Sequence, residues 1–108
     1  MSYFSESLHK VTLHTAHQEP FLEGPLRRLA EVALKNLSAR YPGLKVVEWS
    51  IQPNRVEMLL DFQRLDEDVM RVVQSFKLEV KNLARKRGFE GDALWQWNYE
   101  EAWMPEMK

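Results

Sequence analysis

The fold is decided by residues 45–62, KVVEWSIQPNRVEMLLDF, which contain two stretches of alternating apolar and polar residues around Pro53-Asn54. Alternation of this kind predicts two strands that each bury one face. A Pro-Asn pair between such strands predicts a tight hairpin turn. In the second strand Arg55 and Glu57 point away from the buried face. The residues predicted on the buried face are Val47, Trp49, Ile51, Val56, Met58, Leu60 and Phe62.

Four further segments complete the pattern. Alternation at residues 9–15 predicts a first strand. Apolar residues at helical spacing predict a helix between the Gly-Pro and Pro-Gly signals of residues 24–43, and a longer helix that Asp66 caps and Gly88 ends. A short strand is predicted at residues 94–99. The resulting order is the ferredoxin-like βαββαβ arrangement of the α+β class, an antiparallel sheet with two helices on one face.

Composition limits the classes of protein. The chain has 108 residues, a length that supports one domain, and we place residues 1–108 in it. With 15 basic and 16 acidic residues, its net charge of -1 excludes coating of nucleic acid by overall charge, so a nucleic-acid site must be a local patch. The absence of cysteine excludes disulfides and thiol nucleophiles. No apolar run approaches the roughly 20 residues of a membrane span, so we expect a cytoplasmic protein without a membrane partner.

Four stretches resemble, in the same order, motifs of the single-tyrosine transposase domain of the insertion-sequence-200-like and REP-associated type. HKVTL at residues 9–13 resembles the opening His-Val-Thr strand of that family, and Phe21 resembles its later phenylalanine. IQPNRVEMLL at residues 51–60 resembles the hairpin Met-Pro-Asn-His-Val-His-Leu-Leu. VQSFK at residues 73–77 is similar to a helix signature that ends in Phe-Lys, and LWQWNY at residues 94–99 is similar to a Leu-Trp-Gln box.

This resemblance implies DNA binding without cleavage. The family binds imperfect DNA hairpins as a dimer and cuts single strands with a tyrosine and a divalent ion held by a His-x-His pair. Here Arg55 and Glu57 occupy the two histidine positions, so the imidazoles that would hold the ion are absent. The family's tyrosine lies on a helix beyond the Trp-Gln box, whereas this sequence ends at Lys108. The resemblance therefore implies a catalytically inactive relative that forms a homodimer through its sheet.

The residues themselves leave a metal site open as a second interpretation. If the first strand pairs with the strand after Pro53-Asn54, His14 approaches Glu57 on the open face and could share a Mg or Mn ion with it. Arg55 opposes a cation there because it can pair with Glu57. The alternative is an ordinary surface ion pair and no cofactor.

The long helix contains a candidate phosphate-binding stripe. Residues 71–87 hold six basic residues against Glu79 alone, a local charge of +5. Cations at helical spacing can neutralise phosphates. A solvated helix surface, with the acidic residues of 90–106 folded against it, is the alternative. The expected phosphate contacts are Arg71, Lys77, Lys81 and Arg85, with Arg55 as a further anchor.

These observations predict a transposase-like domain that binds hairpin or single-stranded DNA, forms a homodimer and lacks cleavage chemistry. Two other functions stay open. One is a ferredoxin-like protein-interaction or regulatory module without DNA binding, which the net charge of -1 favours. The other is a residual metal-dependent nuclease that uses Glu57 and His14.

Overall fold

The predicted order of elements is present in the structure. The computed structural model describes residues 8–62, 68–88, 94–95 and 100–103, the last of these for the backbone only. A short 3-10 helix, Ala16–Gln18, follows the first strand. The main elements are β1 (Leu8–His14), α1 (Pro25–Arg40), β2 (Lys45–Gln52), β3 (Arg55–Asp61), α2 (Val69–Lys86) and β4 (Glu100–Trp103).

The strands form one antiparallel sheet in the order β2-β3-β1-β4. β3 lies between β1 and β2, the two strands that α1 connects, and β1 lies between β3 and β4, the two strands that α2 connects. Each helix therefore crosses over one intervening strand, which is the split βαβ arrangement. The predicted ferredoxin-like α+β fold is confirmed.

Local sequence explains where the helices begin. α1 starts at Pro25, whose fixed φ suits a first helical turn, after Gly24 at φ +55. α2 starts after Asp68, whose carboxylate accepts a hydrogen bond from the Met70 N–H at 3.1 Å. Because the helix starts later than predicted, its N-cap is Asp68 and not the predicted Asp66. Asp66 lies outside the described residues. Neither helix is long and apolar enough to cross a membrane in the part of the chain that the structure describes.

The core lies between the helices and one face of the sheet. Buried residues alternate with half-buried or exposed ones from Lys10 to His14 in β1 and from Arg55 to Leu60 in β3, as the sequence predicted. Both helices pack their apolar stripes onto the same buried face, and no other described helix or strand packs on the opposite face, which we call the open face. The residues of this main core that are at most 2% exposed are Val11, Leu13, Leu22, Ala30, Ala33, Leu34, Leu37, Val56, Met58, Leu60, Val72, Val73, Phe76 and Val80.

The two helices pack against each other in opposite directions. Near the end of α1, the Asn36 side-chain amide donates to Glu79 of α2 at 2.7 Å, and Arg40 forms an ion pair with the same carboxylate at 3.2 Å. At the other end, Leu26 in the first turn of α1 packs with Ala84 in the last turn of α2. The start of α1 and the end of α2 therefore lie at the same end of the domain.

The predicted burial of Trp49 is wrong. Its side chain is 42% exposed, and that of Val47 is 41% exposed. β2 is an edge strand, and a register shift between Val46 and Glu48 interrupts its pairing with β3. Alternation places Trp49 in register with the buried residues of β3, but it does not show how far the helices extend over the sheet.

The last strand lies later in the chain than predicted. β4 pairs with β1 from Glu100 opposite Thr12 to Trp103 opposite His9. Within the predicted segment, Trp95 forms an isolated bridge with Thr15, and residues 96–99 lie outside the described residues. The position of this strand depends on main-chain pairing with β1, which side-chain alternation does not specify.

Candidate nucleic-acid interface

The open face of the sheet carries Arg55 and Glu57, the two residues that the motif resemblance aligns with histidines. The register places Arg55 directly opposite His14, and Glu57 directly opposite Thr12. The side chains of Arg55 and Glu57 are 38% and 29% exposed and lie outside the core. The prediction that the Pro53-Asn54 turn presents both residues outward is confirmed.

Arg55 and Glu57 form an ion pair with each other. The Nε atom of Arg55 lies 3.0 Å from Oε2 of Glu57, as is possible for residues two apart on one strand face. His14 lies diagonal to Glu57 and not opposite it, and the backbones of diagonal neighbours in antiparallel strands are about 7–8 Å apart, a separation that long side chains can bridge. No group of three or more His, Cys, Asp or Glu side chains that could hold a metal ion occurs among the described residues.

Charge on the open face is balanced in β1, β2 and β3. By register, this face bears three basic residues and three acidic ones. A shallow depression of about 240 Å³ lies here, with Lys10, Ser50 and Leu59 among its lining residues. A face with equal numbers of cations and anions attracts a phosphate backbone weakly. The six charged residues are Lys10, Lys45, Glu48, Arg55, Glu57 and Asp61.

A buried threonine fixes the turn that presents this face. Thr15 is fully buried, and its hydroxyl lies 2.6 Å from the carbonyl of Glu19 and 3.1 Å from the carbonyl of Asn54. Its backbone N–H donates to the same Asn54 carbonyl at 3.0 Å, and the N–H of Leu22 donates to that of Pro53 at 2.9 Å. The loop after β1 is therefore tied to the β2–β3 turn at several points.

The two helices concentrate positive charge. α1 contains four basic residues and one acidic residue, Glu31. α2 with its C-cap residue Arg87 contains six basic residues and one acidic residue, Glu79. These 35 residues carry a net charge of +8 in a chain whose net charge is -1. The acidic charge of the protein is therefore carried outside the helices.

The four helix residues predicted to contact phosphates differ in burial. Arg71 and Arg85 are exposed, and Lys81 is half-buried. Lys77 is only 7% exposed, so the expected stripe does not continue to the surface there. Lys77 lies one helical turn from the buried residue Val73, on the apolar face of α2, and burial lowers the pKa of its amine. All four residues take part in interactions within the protein.

The cations of α1 are the feature that sequence reasoning missed. The prediction considered α2 alone, although both helices were placed on one face of the sheet. Counting charges for each predicted helix would have added α1 to the candidate interface. Its basic residues are Arg27, Arg28, Lys35 and Arg40.

Comparison with known proteins places the chain by structure. No protein-family model matches the sequence, and no curated protein matches it. The structure is similar to that of a suspected transposase from Deinococcus radiodurans, with a TM-score of 0.76 and 14% sequence identity over 94% of this chain and 80% of that chain. It is also similar to a REP-associated tyrosine transposase bound to a REP hairpin, with a TM-score of 0.75 and 13% identity over 99% of this chain.

These similarities establish a shared fold. The chain spans 62% of the length of the REP-associated transposase. The sequence motifs indicated a resemblance to single-tyrosine transposase domains. At 13–14% identity, the structural comparison supports this resemblance at the level of the fold. The domain is therefore transposase-like in architecture.

Proposed function

We propose that this domain binds hairpin or single-stranded DNA and has no strand-cleavage activity of its own. The observation that carries the proposal is the net charge of +8 on the two helices of a chain whose total is -1. A basic surface of this kind neutralises phosphates and releases their counterions. The similar REP-associated transposase is bound to a REP hairpin, which supports DNA as the ligand.

The helix layer supplies the phosphate contacts in this proposal. Arg71 and Arg85 are exposed and Lys81 is half-buried, so all three can reach a bound backbone. Lys77 adds its charge from beneath the surface. Arg55 is a further anchor on the opposite face, where Glu57 already neutralises part of its charge.

Loss of cleavage follows from the same ion pair. A guanidinium 3.0 Å from the carboxylate disfavours a divalent cation, because it places a positive charge where the ion would sit. Without a cation to polarise the phosphate, a nucleophile gains little help from Glu57 or His14. In this proposal the open face has the position of a cleavage site in the fold but does not bind a divalent cation or cleave DNA.

We also propose a homodimer that forms through the sheet. β2 is an edge strand with Val47 and Trp49 exposed, and an edge strand can pair with a second copy. Sedimentation at micromolar concentration should show a dimer, and Trp49→Ser should shift it toward monomer. A wild-type protein that sediments as a monomer contradicts this part of the proposal.

Fluorescence anisotropy with a labelled DNA hairpin tests binding. We expect affinity that falls steeply between about 50 and 200 mM salt. The double variant Arg71→Gln/Arg85→Gln should weaken binding and reduce the slope of log K against log salt by about 2. Absence of binding at low salt would overturn the proposal. It would favour the protein-interaction alternative, for which the exposed Met70 and Leu78 on α2 are the supporting observation.

Incubation of labelled single-stranded DNA with Mn²⁺ tests the loss of cleavage. We expect the wild type and Glu57→Ala to leave the strand equally intact. Cleavage by the wild type that Glu57→Ala abolishes would show that the open face still functions as a nuclease.

A further inference from the structure

Three exposed cations lie at one end of the helix layer. Arg28, Lys86 and Arg87 are exposed, and in the described part of the chain they form no ion pair or side-chain hydrogen bond. Their neighbours differ in this respect, since Arg27 pairs with Glu31 at 3.5 Å. The charges of these three residues are therefore available to a ligand.

Helix packing places these residues at the same end of the domain. Arg28 lies in the first turn of α1, whereas Lys86 and Arg87 end α2. Leu26 of α1 packs with Ala84 of α2, so the two antiparallel helices meet at this end. We call Arg28, Lys86 and Arg87 the helix-end basic surface.

The side chains of this surface suit the sugar-phosphate backbone of a nucleic acid and not its unpaired bases. Phe76 is the only aromatic residue in α1 or α2, and it is fully buried. Binding of unpaired bases depends on exposed aromatic rings for stacking. Guanidinium and ammonium groups bind phosphate oxygens whether or not the bases are paired. Neither helix therefore offers a stacking platform, and a ligand here is held by its phosphates.

We propose that the helix-end basic surface binds the sugar-phosphate backbone of the paired stem of a DNA hairpin, without reading its bases. This inference rests on the proposed DNA-binding function and specifies which surface contacts which part of the ligand. Paired strands present two rows of phosphates at regular spacing, which cations from two adjacent helices can contact together. An unpaired strand presents a single row of phosphates, so fewer of these cations can contact it at the same time.

The test compares two double variants with the same loss of charge. Arg28→Gln/Lys86→Gln changes the helix-end basic surface. Lys10→Gln/Lys45→Gln changes two exposed lysines on the open face of the sheet. Each variant is titrated with a labelled hairpin and with an unpaired strand of the same length and base composition. All four residues are exposed, and thermal unfolding confirms that each variant is folded.

We expect Arg28→Gln/Lys86→Gln to weaken hairpin binding roughly tenfold or more at about 100 mM salt and to reduce the salt slope by about 2. The lysine control should weaken hairpin binding much less, because the open face carries as many acidic as basic residues. Binding of the unpaired strand should fall much less for either variant. The single variants Arg28→Gln and Lys86→Gln should each show a part of the loss.

The outcomes separate this inference from the function on which it rests. If the wild type binds the hairpin but Arg28→Gln/Lys86→Gln binds it equally well, the inference is overturned and DNA binding stands. An equal loss for the hairpin and the unpaired strand would overturn the assignment to the paired stem. A wild type that binds neither DNA, or that binds only vesicles of anionic lipid, would overturn the proposed function and the inference together.

Discussion

Phe76→Ala should be among the most destabilising single substitutions in this domain. Phe76 is fully buried in α2, and its ring centroid lies 6.0 Å from that of Trp95. Burial of a phenylalanine ring removes on the order of 150–200 Å² of apolar surface from water, worth about 4–5 kcal/mol at 25 cal/mol per Å². Measured Phe-to-Ala losses in protein cores, about 3–5 kcal/mol, agree with this value.

A loss of this size is a large part of the stability of a small domain. Such domains unfold with about 5–15 kcal/mol, and each 1 kcal/mol changes Tm by about 4 °C at this chain length. We therefore expect a fall in Tm of about 12–20 °C, or a largely unfolded protein. Urea unfolding followed by far-UV circular dichroism gives the free energy, and Trp fluorescence shows whether the surroundings of Trp95 change in the folded state.

Leu78→Ala on the same helix is the matched control. Leu78 is 56% exposed, so its truncation should cost less than about 0.5 kcal/mol beyond the small change in helix propensity. Equal losses for Phe76→Ala and Leu78→Ala would refute the assignment of the buried face of α2.

Two further substitutions test the turn and the buried amine. Thr15→Val removes a hydroxyl that lies 2.6 Å from the Glu19 carbonyl, which also accepts a hydrogen bond from a backbone N–H. Urea unfolding should therefore show a loss of about 1 kcal/mol in the free energy of unfolding. Thr12→Val on the open face should lose less free energy, and the reverse order would contradict the role of the Thr15 hydroxyl. Lys77→Met should be more stable than the wild type at pH 7, because burial lowers the pKa of Lys77 and the folded state disfavours its charged form. The cost of that charge is complete below the lowered pKa and disappears as pH rises toward the ordinary 10.5, so unfolding at neutral and alkaline pH should show the advantage of methionine shrinking; a constant difference would contradict this explanation.

Alternation predicted much of the candidate site. The side-chain period of a strand is a local property, so a run such as RVEMLLDF is enough to place Arg55 and Glu57 on the face opposite Val56 and Met58. The order of elements then predicted the sheet, because split βαβ connections place the four strands in one arrangement. Both predictions are confirmed, and the outward direction of Arg55 and Glu57 needed no tertiary information.

Helical spacing predicted less. It places Lys77 in line with Lys81 and Arg85, yet the burial of Lys77 depends on where the apolar stripe of α2 meets the sheet. The exposure of Trp49 likewise depends on how far the helices reach across an edge strand. In both cases the pattern gives the direction of a side chain, and the packing of a second element decides its burial.

The sequence by itself determined the elements, their order and the face on which each strand residue lies, because these follow from backbone geometry over a few residues. Only the tertiary structure decided which distant cations share one end of the domain. Arg28 lies in the first turn of α1 and Lys86 ends α2, and these two turns lie at the same end of the domain because the helices run antiparallel. The sequence of each helix shows which basic residues it carries. The packing of the two helices shows which of these residues lie on the same surface.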